Sequence, residues 1–464
     1  MELIRGMDLT KLSKAELIVL IYRLVDEIEA LKVRIIDLEK KVAAKETSTS
    51  GKKELPAFVK LNVKKKKSGK RKKRVQGYVR MKDKPTHQVF HSHAVCPDCG
   101  GELGKPSVAY SRTIIDIPIT AATVTEHVVF KRYCFSCHQR TYPTPKLSSY
   151  VVGKNRIGIN LMGLITTMKE ELRLPIDQIQ HHLKIFYLIK MSAGEIVRIL
   201  QETAMWGKTE YEAIKTQLLK SPFMHADETG GRENGKNGYF WNFSTDMVQY
   251  VLYRKSRGNQ VVVEVVGKDG KDYEGVMVSD FYTAYNTYLG FHQRCWVHYL
   301  RDIHKLKEEY PDDKILKRWA KDVHNLYERA KAYTGPPADT PVGLAAALRE
   351  KKEAEFKRAL IVLCEPYLRN ATVFSTLAAR GTRYISELFT FIRFPGIASN
   401  NNPAERAVRH LVVARKISGG TRSEKGSETK SILTSLFGTW RLQHLNPFEQ
   451  TKLLLLSQAV CQES

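Results

Sequence analysis

The chain has 464 residues, room for two to four domains of ordinary size and a sizeable buried core. Hydrophobic residues make up 42% of it, yet no apolar run approaches the ~18 residues of a membrane span, and Glu2, Asp8 and Glu16 interrupt any apolar leader, so a cytoplasmic chain without a membrane partner is expected. Seventy-five Lys and Arg against 49 Asp and Glu leave a formal charge of +26, which calls for a polyanionic partner, and seven cysteines in such a chain point to metal binding ahead of disulfides.

Residues 1–45 carry Leu17, Ile21, Leu24, Ile28, Leu31, Ile35, Leu38 and Val42 at alternating spacings of four and three, a heptad seam. Leucine at d and β-branched residues at a favour a parallel two-stranded coiled coil, so a homodimer or higher assembly through residues 17–42 is expected; the alternative is one amphipathic helix docked on its own protein. Residues 46–90 lose this periodicity. They include Lys64, Lys65, Lys66, Lys67, Lys70, Arg71, Lys72, Lys73 and Arg74, and residues 51–90 hold half the net charge. This reads as a basic linker or DNA-binding arm touching phosphates.

Residues 91–145 hold two Cys-x-x-Cys pairs, Cys96 with Cys99 and Cys134 with Cys137, around the strand-like stretches Thr113–Pro118 and Thr123–Arg132. Four thiolates at paired spacing suit one structural tetrahedral zinc, as a fold staple or as part of a DNA contact. Residues 146–220 read as helices punctuated by Pro175 and Pro222, open to a DNA-binding role, with Trp206 and Tyr211 as core.

From Pro222 the texture becomes strand-like: FMHAD, GYFWNF and MVQYVLYR suggest three antiparallel strands, followed by a helix near 258–266 and the strand GVMVSD. Asp227 is expected at the end of the first strand and Asp280 at the end of the fourth. Carboxylates at neighbouring strand ends converge, and two hard cations about 4 Å apart would activate an attacking oxygen and stabilise a leaving one. Glu405, in SNNNPAERAVRH, is the candidate third carboxylate on a helix running to about Lys416. The same text also fits a capping box, with Asn402 as cap, Pro403 as first residue and Glu405 as its reciprocal partner. Arg406, Arg409, Arg415, Lys416 and Arg422 lie nearby as candidate DNA contacts.

HADETG, SDFYTAY, CWVHYLRD and SNNNPAERAVRH, in this order, resemble the catalytic motifs of transposases of the insertion-sequence-66 group. The likeness extends to the leucine-zipper-like N-terminus, the four-cysteine module and the C-terminal GSETKSILTSLFGTWRLQHLNPFE. It implies a multidomain α+β chain with a ribonuclease-H-like core in two parts, 221–299 and 396–440, a helical insertion at 300–395 and a C-terminal helical element at 441–464. Within the insertion, Thr340 and Pro341 are expected to open a helix as cap and first residue. The resemblance further implies Asp227, Asp280 and Glu405 as catalytic ligands of two Mg2+ ions, with Mn2+ able to substitute, acting on double-stranded element ends and target DNA, with accessory proteins as further partners. Cys295 and His298 look like the family's Cys-x-x-His signature; two ligands cannot close a zinc site, which leaves packing, DNA positioning or a satisfied core histidine. RKISGGTRSEKGSE departs from the family's aromatic-bearing segment after the Glu405 helix. Two rivals differ in class: a zinc-containing DNA-binding regulator without catalysis, and a nuclease that cuts without joining.

Overall fold

The computed structural model describes residues 87–109, 111–112, 121–369 and 372–463. The heptad seam at 17–42, the basic cluster from Lys64 to Arg74 and the stretch Thr113–Pro118 lie outside the described residues. The chain divides into two compact units, residues 1–115 and 116–464. In the first, the described residues form one defined feature, a turn at Cys96 in which the Gly100 amide donates to the Cys96 carbonyl (2.8 Å) and the Cys96 amide to the Gly101 carbonyl (2.9 Å).

The second unit opens with a two-residue ladder, β1 (Arg132–Tyr133) against β2 (Arg140–Thr141). The strand expected over Thr123–Arg132 shrinks to its last residue. Val124, Val128 and Phe130 are 94%, 61% and 74% exposed, so no packed surface covers the alternation that favoured a strand. Four helices follow: α1 (Ile159–Glu170), α2 (Ile176–Tyr187), α3 (Ala193–Trp206) and α4 (Lys208–Leu219). Pro175 sets the start of α2, and the Ser192 hydroxyl caps α3 by accepting the Glu195 amide at 3.1 Å. Tyr211 is core and Trp206 is half-buried against it.

Asn234 and Gly235, at φ 48° and 77°, reverse β3 (Phe223–Glu233) into β4 (Lys236–Ser244) by the two-residue turn that Asn-Gly favours. β5 (Gln249–Arg254) pairs antiparallel with β4; after α5 (Gln260–Val266) the chain returns as β6 (Val276–Ser279) and then β7 (His292–Arg294), both parallel to β3. The sheet order is β5-β4-β3-β6-β7. Strand β3 runs through Asp227 to Glu233 because its hairpin with β4 continues, so Asp227 lies inside the strand and not at its end.

Between β7 and the return to the sheet come α6 (Trp296–Glu309), α7 (Lys314–Lys331), α8 (Val342–Cys364), α9 (Ser375–Arg383), α10 (Ile385–Leu388) and α11 (Thr390–Arg393). They bury a core of their own around Trp296, Trp319, Phe374 and Phe389. Helix α8 starts at Val342 with Pro341 as its N-cap and no side-chain cap bond, one residue later than Thr340-Pro341 suggested. Three helices close the chain: α12 (Asn402–Ser418), α13 (Glu424–Leu442) and α14 (Pro447–Glu463). Along α13, Ser435 and Thr439 accept the outward amides of β5, Val251 at 2.8 Å and Gln249 at 3.0 Å. Among the described residues, no helix is long and apolar enough to cross a membrane.

Candidate active site where two parallel strands part

The parallel register of β3 with β6 covers Phe223, Met224 and His225. The strands separate there, with Asp227 two residues on in β3 and Asp280 directly after Ser279 ends β6. Such a crevice beyond the carboxyl ends of parallel strands is where open α/β sheets bind ligands. The Asp280 carboxylate accepts the Tyr282 amide (2.9 Å), and its carbonyl accepts Nη1 of Arg294 (2.7 Å). Arg294 is fully buried and paired through Nε with Glu387 at 2.6 Å, so it holds the end of β6 from within.

Glu405 arrives on the first turn of α12. Its amide donates to the Asn401 carbonyl (3.2 Å), while Asn400 Oδ1 accepts the Asn402 amide (3.1 Å). The capping-box alternative is not adopted: Glu405 Oε1 is buried and makes no hydrogen bond. Its Oε1 stands 3.7 Å from His298 Nε2 and 3.9 Å from Arg301 Nη2.

Burial, together with the charges of Glu228, Asp280 and Glu405, pushes the Asp227 carboxyl up to about 7. All three expected carboxylates therefore act within one field. Glu228, which sequence reasoning passed over, has a side chain only 3% exposed and accepts from Arg257 Nη2 (2.6 Å) and Tyr285 (2.5 Å). Burial raises its carboxyl as well. Among the described residues, no three His, Cys, Asp or Glu side chains stand close enough to share a metal ion. The donor chemistry nevertheless suits a hard divalent cation: three carboxylates, a bare buried oxygen on Glu405, and mutual repulsion that a cation would offset.

A cleft of about 490 Å³ leads away from Asp280 between His298, Arg380, Arg383 and Tyr384. Arg380 is oriented by Asp302 at 2.6 Å. These two arginines come from the helical insertion, and no local motif marks them. Cys295 and His298 part company in role. The buried Cys295 thiol accepts the Asn401 amide (3.1 Å) and is pushed up by burial, a packing arrangement. His298 turns Nε2 toward Glu405 and leaves Nδ1 buried without a hydrogen bond.

Asn401, also missed, is 1% exposed and joins the segments bearing the first and third carboxylates: Nδ2 donates to the Ala226 carbonyl (2.7 Å) and Oδ1 meets His225 Nδ1 at 3.0 Å. Among the expected DNA contacts, Arg406, Arg409, Lys416 and Arg422 are exposed. Arg415 is instead turned inward, bonding the Gly230 carbonyl and thus pinning α12 to β3. The RKISGGTRSEKGSE segment packs on the β3–β4 hairpin, with the Thr421 amide donating to the Arg232 carbonyl (2.8 Å) and the Asn234 amide to the Thr421 carbonyl (2.8 Å).

The cysteine pairs share a local design. Each Cys-x-x-Cys is followed by a left-handed residue, Gly100 (φ 71°) and His138 (φ 56°), and in each the first cysteine's amide donates to a carbonyl five residues on, Gly101 or Gln139. Backbone hydrogen bonds, led by Asp98 at Cys96 and Cys137 at Cys134, hold both first thiols below the usual range, which favours thiolates.

A family profile described as "Transposase IS66 family" matches residues 154–429, more than half of the chain, and one described as "zinc-finger binding domain of transposase IS66" matches residues 94–138. The chain is also 31% identical over 166 residues to the "Uncharacterized protein y4jO" of Sinorhizobium fredii (strain NBRC 101917 / NGR234), a stretch covering 35% of this chain and 47% of that protein. The match thus spans about half the length of this relative.

Proposed function

Because the chain belongs to the Transposase IS66 family, we propose that it cuts the ends of a mobile DNA element and joins them to target DNA, using Asp227, Asp280 and Glu405. The carrying observation is that the charges of Asp280 and Glu405, from two distant segments, both reach the buried Asp227 carboxyl and add to the effect of burial in raising it. The sheet order, with a hairpin-linked half and a parallel half, supports a ribonuclease-H-like core interrupted by the helices α6 to α11.

The three carboxylates would hold magnesium, which when bound supplies charge neutralisation and activation of the attacking oxygen. The chain's own part is positional. Arg294 and Asn401 fix the segments that carry the carboxylates, and Arg380 and Arg383 line the wall along which phosphates would run. In the first step a water oxygen bonds to phosphorus as the bond to the 3′ oxygen breaks, and that oxygen leaves with a proton as a 3′ hydroxyl. In the second, this hydroxyl oxygen bonds to a target phosphorus, and the target's own 3′ oxygen departs with the proton.

Residues 94–138 carry the zinc-finger match. Cys96, Cys99, Cys134 and Cys137 would hold one structural zinc, a reading supported by the two pre-formed turns and the lowered first thiols. The basic arm would add phosphate contacts, and residues 17–42 would pair two copies so that both element ends are handled together.

The test incubates the purified chain with Mg2+ and duplexes bearing the element's terminal sequences, 5′-labelled on the strand whose new 3′ end is to be joined. Nicking followed by attachment of label to a second duplex is expected; Asp227→Asn, Asp280→Asn and Glu405→Gln should each reduce it by at least ~100-fold with DNA binding kept. Cutting without attachment would make the chain a nuclease, and binding without any cutting in Mg2+ or Mn2+ would leave it a regulator.

A further inference from the structure

A second cavity, of about 640 Å³, opens between α12, the end of α13, the α1–α2 connection and the β4–β5 turn. Four arginines line it, Arg173, Arg406, Arg409 and Arg441, against a single acid, Asp246. Among the described residues, ion pairing neutralises only Arg441, by Glu171 at 2.8 Å. Arg406 and Arg409 are exposed and make no ion pair with a described residue. Arg173 meets His410 through Nη1 at 3.1 Å, but its Nε is buried without any hydrogen-bond partner. A buried guanidinium donor left unmet is destabilising unless an acceptor arrives. Burial, then the charges of Arg441 and Lys430, hold His410 below the usual imidazole range against the opposing effect of Glu170.

We propose that this cavity binds a phosphate of the DNA backbone, next to the strand engaged at the carboxylates. The inference rests on the reading that the chain acts on DNA. A planar guanidinium cluster matches phosphate oxygens in charge and geometry. The cavity is open, as a continuous strand requires, and α12 links it to the carboxylates: Arg409 follows Glu405 by four residues, a rise of about 6 Å.

The test measures binding of the full chain to a labelled duplex across ionic strengths. Arg406→Gln with Arg409→Gln should weaken binding about tenfold and flatten the log–log salt slope by ~0.9, for the one phosphate no longer neutralised. The charge-matched control Lys314→Gln with Lys317→Gln, on the insertion, should keep the slope. Both pairs are exposed, so folding is expected to survive, and thermal unfolding checks it. Equal behaviour of the two double variants, or an unchanged slope in the arginine variant, overturns the proposal while leaving catalysis untouched. If inorganic phosphate alone, titrated by calorimetry, needs Arg173 and Arg406 but duplex binding does not, the occupant is free phosphate and the DNA assignment falls. Arginine-dependent slope in a chain that cuts no DNA would instead sink the transposition reading and keep this site.

Discussion

The side-chain amide of Asn401 donates to the carbonyl of Ala226 at 2.7 Å, which ties the residue before Asp227 to the segment that launches the Glu405 helix. The same side chain meets His225, and the Asn401 backbone amide reaches the Cys295 thiol. One buried residue, through its side-chain and backbone amides, thus joins β3 and the starts of α6 and α12.

Replacing Asn401 with alanine strands the Ala226 carbonyl and the His225 ring inside the protein. A loss of about 2–4 kcal/mol in unfolding free energy is expected, read from urea denaturation with an unchanged slope. Cleavage should fall further than stability alone accounts for, since the carboxylate-bearing segments lose their common anchor. A stability change within ~0.5 kcal/mol of the parent would remove Asn401 from this role.

Stability should depend on pH through Asp227. Its carboxyl rises from 3.8 to about 7 on folding, so the folded chain holds this proton more tightly than the unfolded one. That contribution is whole below the unfolded value, near pH 4, and is lost as pH climbs through about 7, on the order of 4 kcal/mol in all. Asp227→Asn carries no such penalty. Without metal, it should melt several degrees above the parent at pH 8, with the gap closing toward pH 4. Matching melting temperatures at pH 8 would contradict the burial and the crowding of negative charge at this position.

Divalent cations should relieve the same strain from the other side. Magnesium at a hundred times its dissociation constant stabilises by about 2.7 kcal/mol, so the parent's melting temperature should climb with added Mg2+. Glu405→Gln, which alters the bare buried oxygen, should respond much less. An identical response in both proteins would place the cation elsewhere.

Zinc removal should act locally. Metal analysis is expected to find about one zinc per chain, and chelation should raise amide exchange across residues 94–138 while the sheet of residues 223–294 keeps its protection. Exchange that stays unchanged after verified removal would exclude a structural zinc.

Much of this arrangement is written in local text. Asn234-Gly235 announces its turn, GVMVSD its strand, and the Asn-Pro start of α12 its helix; each depends on a few neighbouring residues. Other parts depend on partners far along the chain. The length of β3 beyond Asp227 is set by pairing with β4, and the exposed stretch after Thr123 alternates like a strand yet has no surface to lie on. Arg294, Arg380 and Asn401 draw their meaning from Asp280, Asp302 and Ala226, contacts that no short window contains. The capping box failed because Asn400 took over the amide that the pattern assigned to Glu405.

The serine and threonine hydroxyls of α13 that meet β5 have a consequence for assembly. A border strand with free amides invites a neighbour's strand to zip on, which leads to exchange of segments between copies or to aggregates. Here Ser435 and Thr439 fill those positions, and at the opposite border β7 is three residues long, with Thr390 donating to the His292 carbonyl at 2.6 Å. Copies brought close together would thereby be kept from fusing through their sheets.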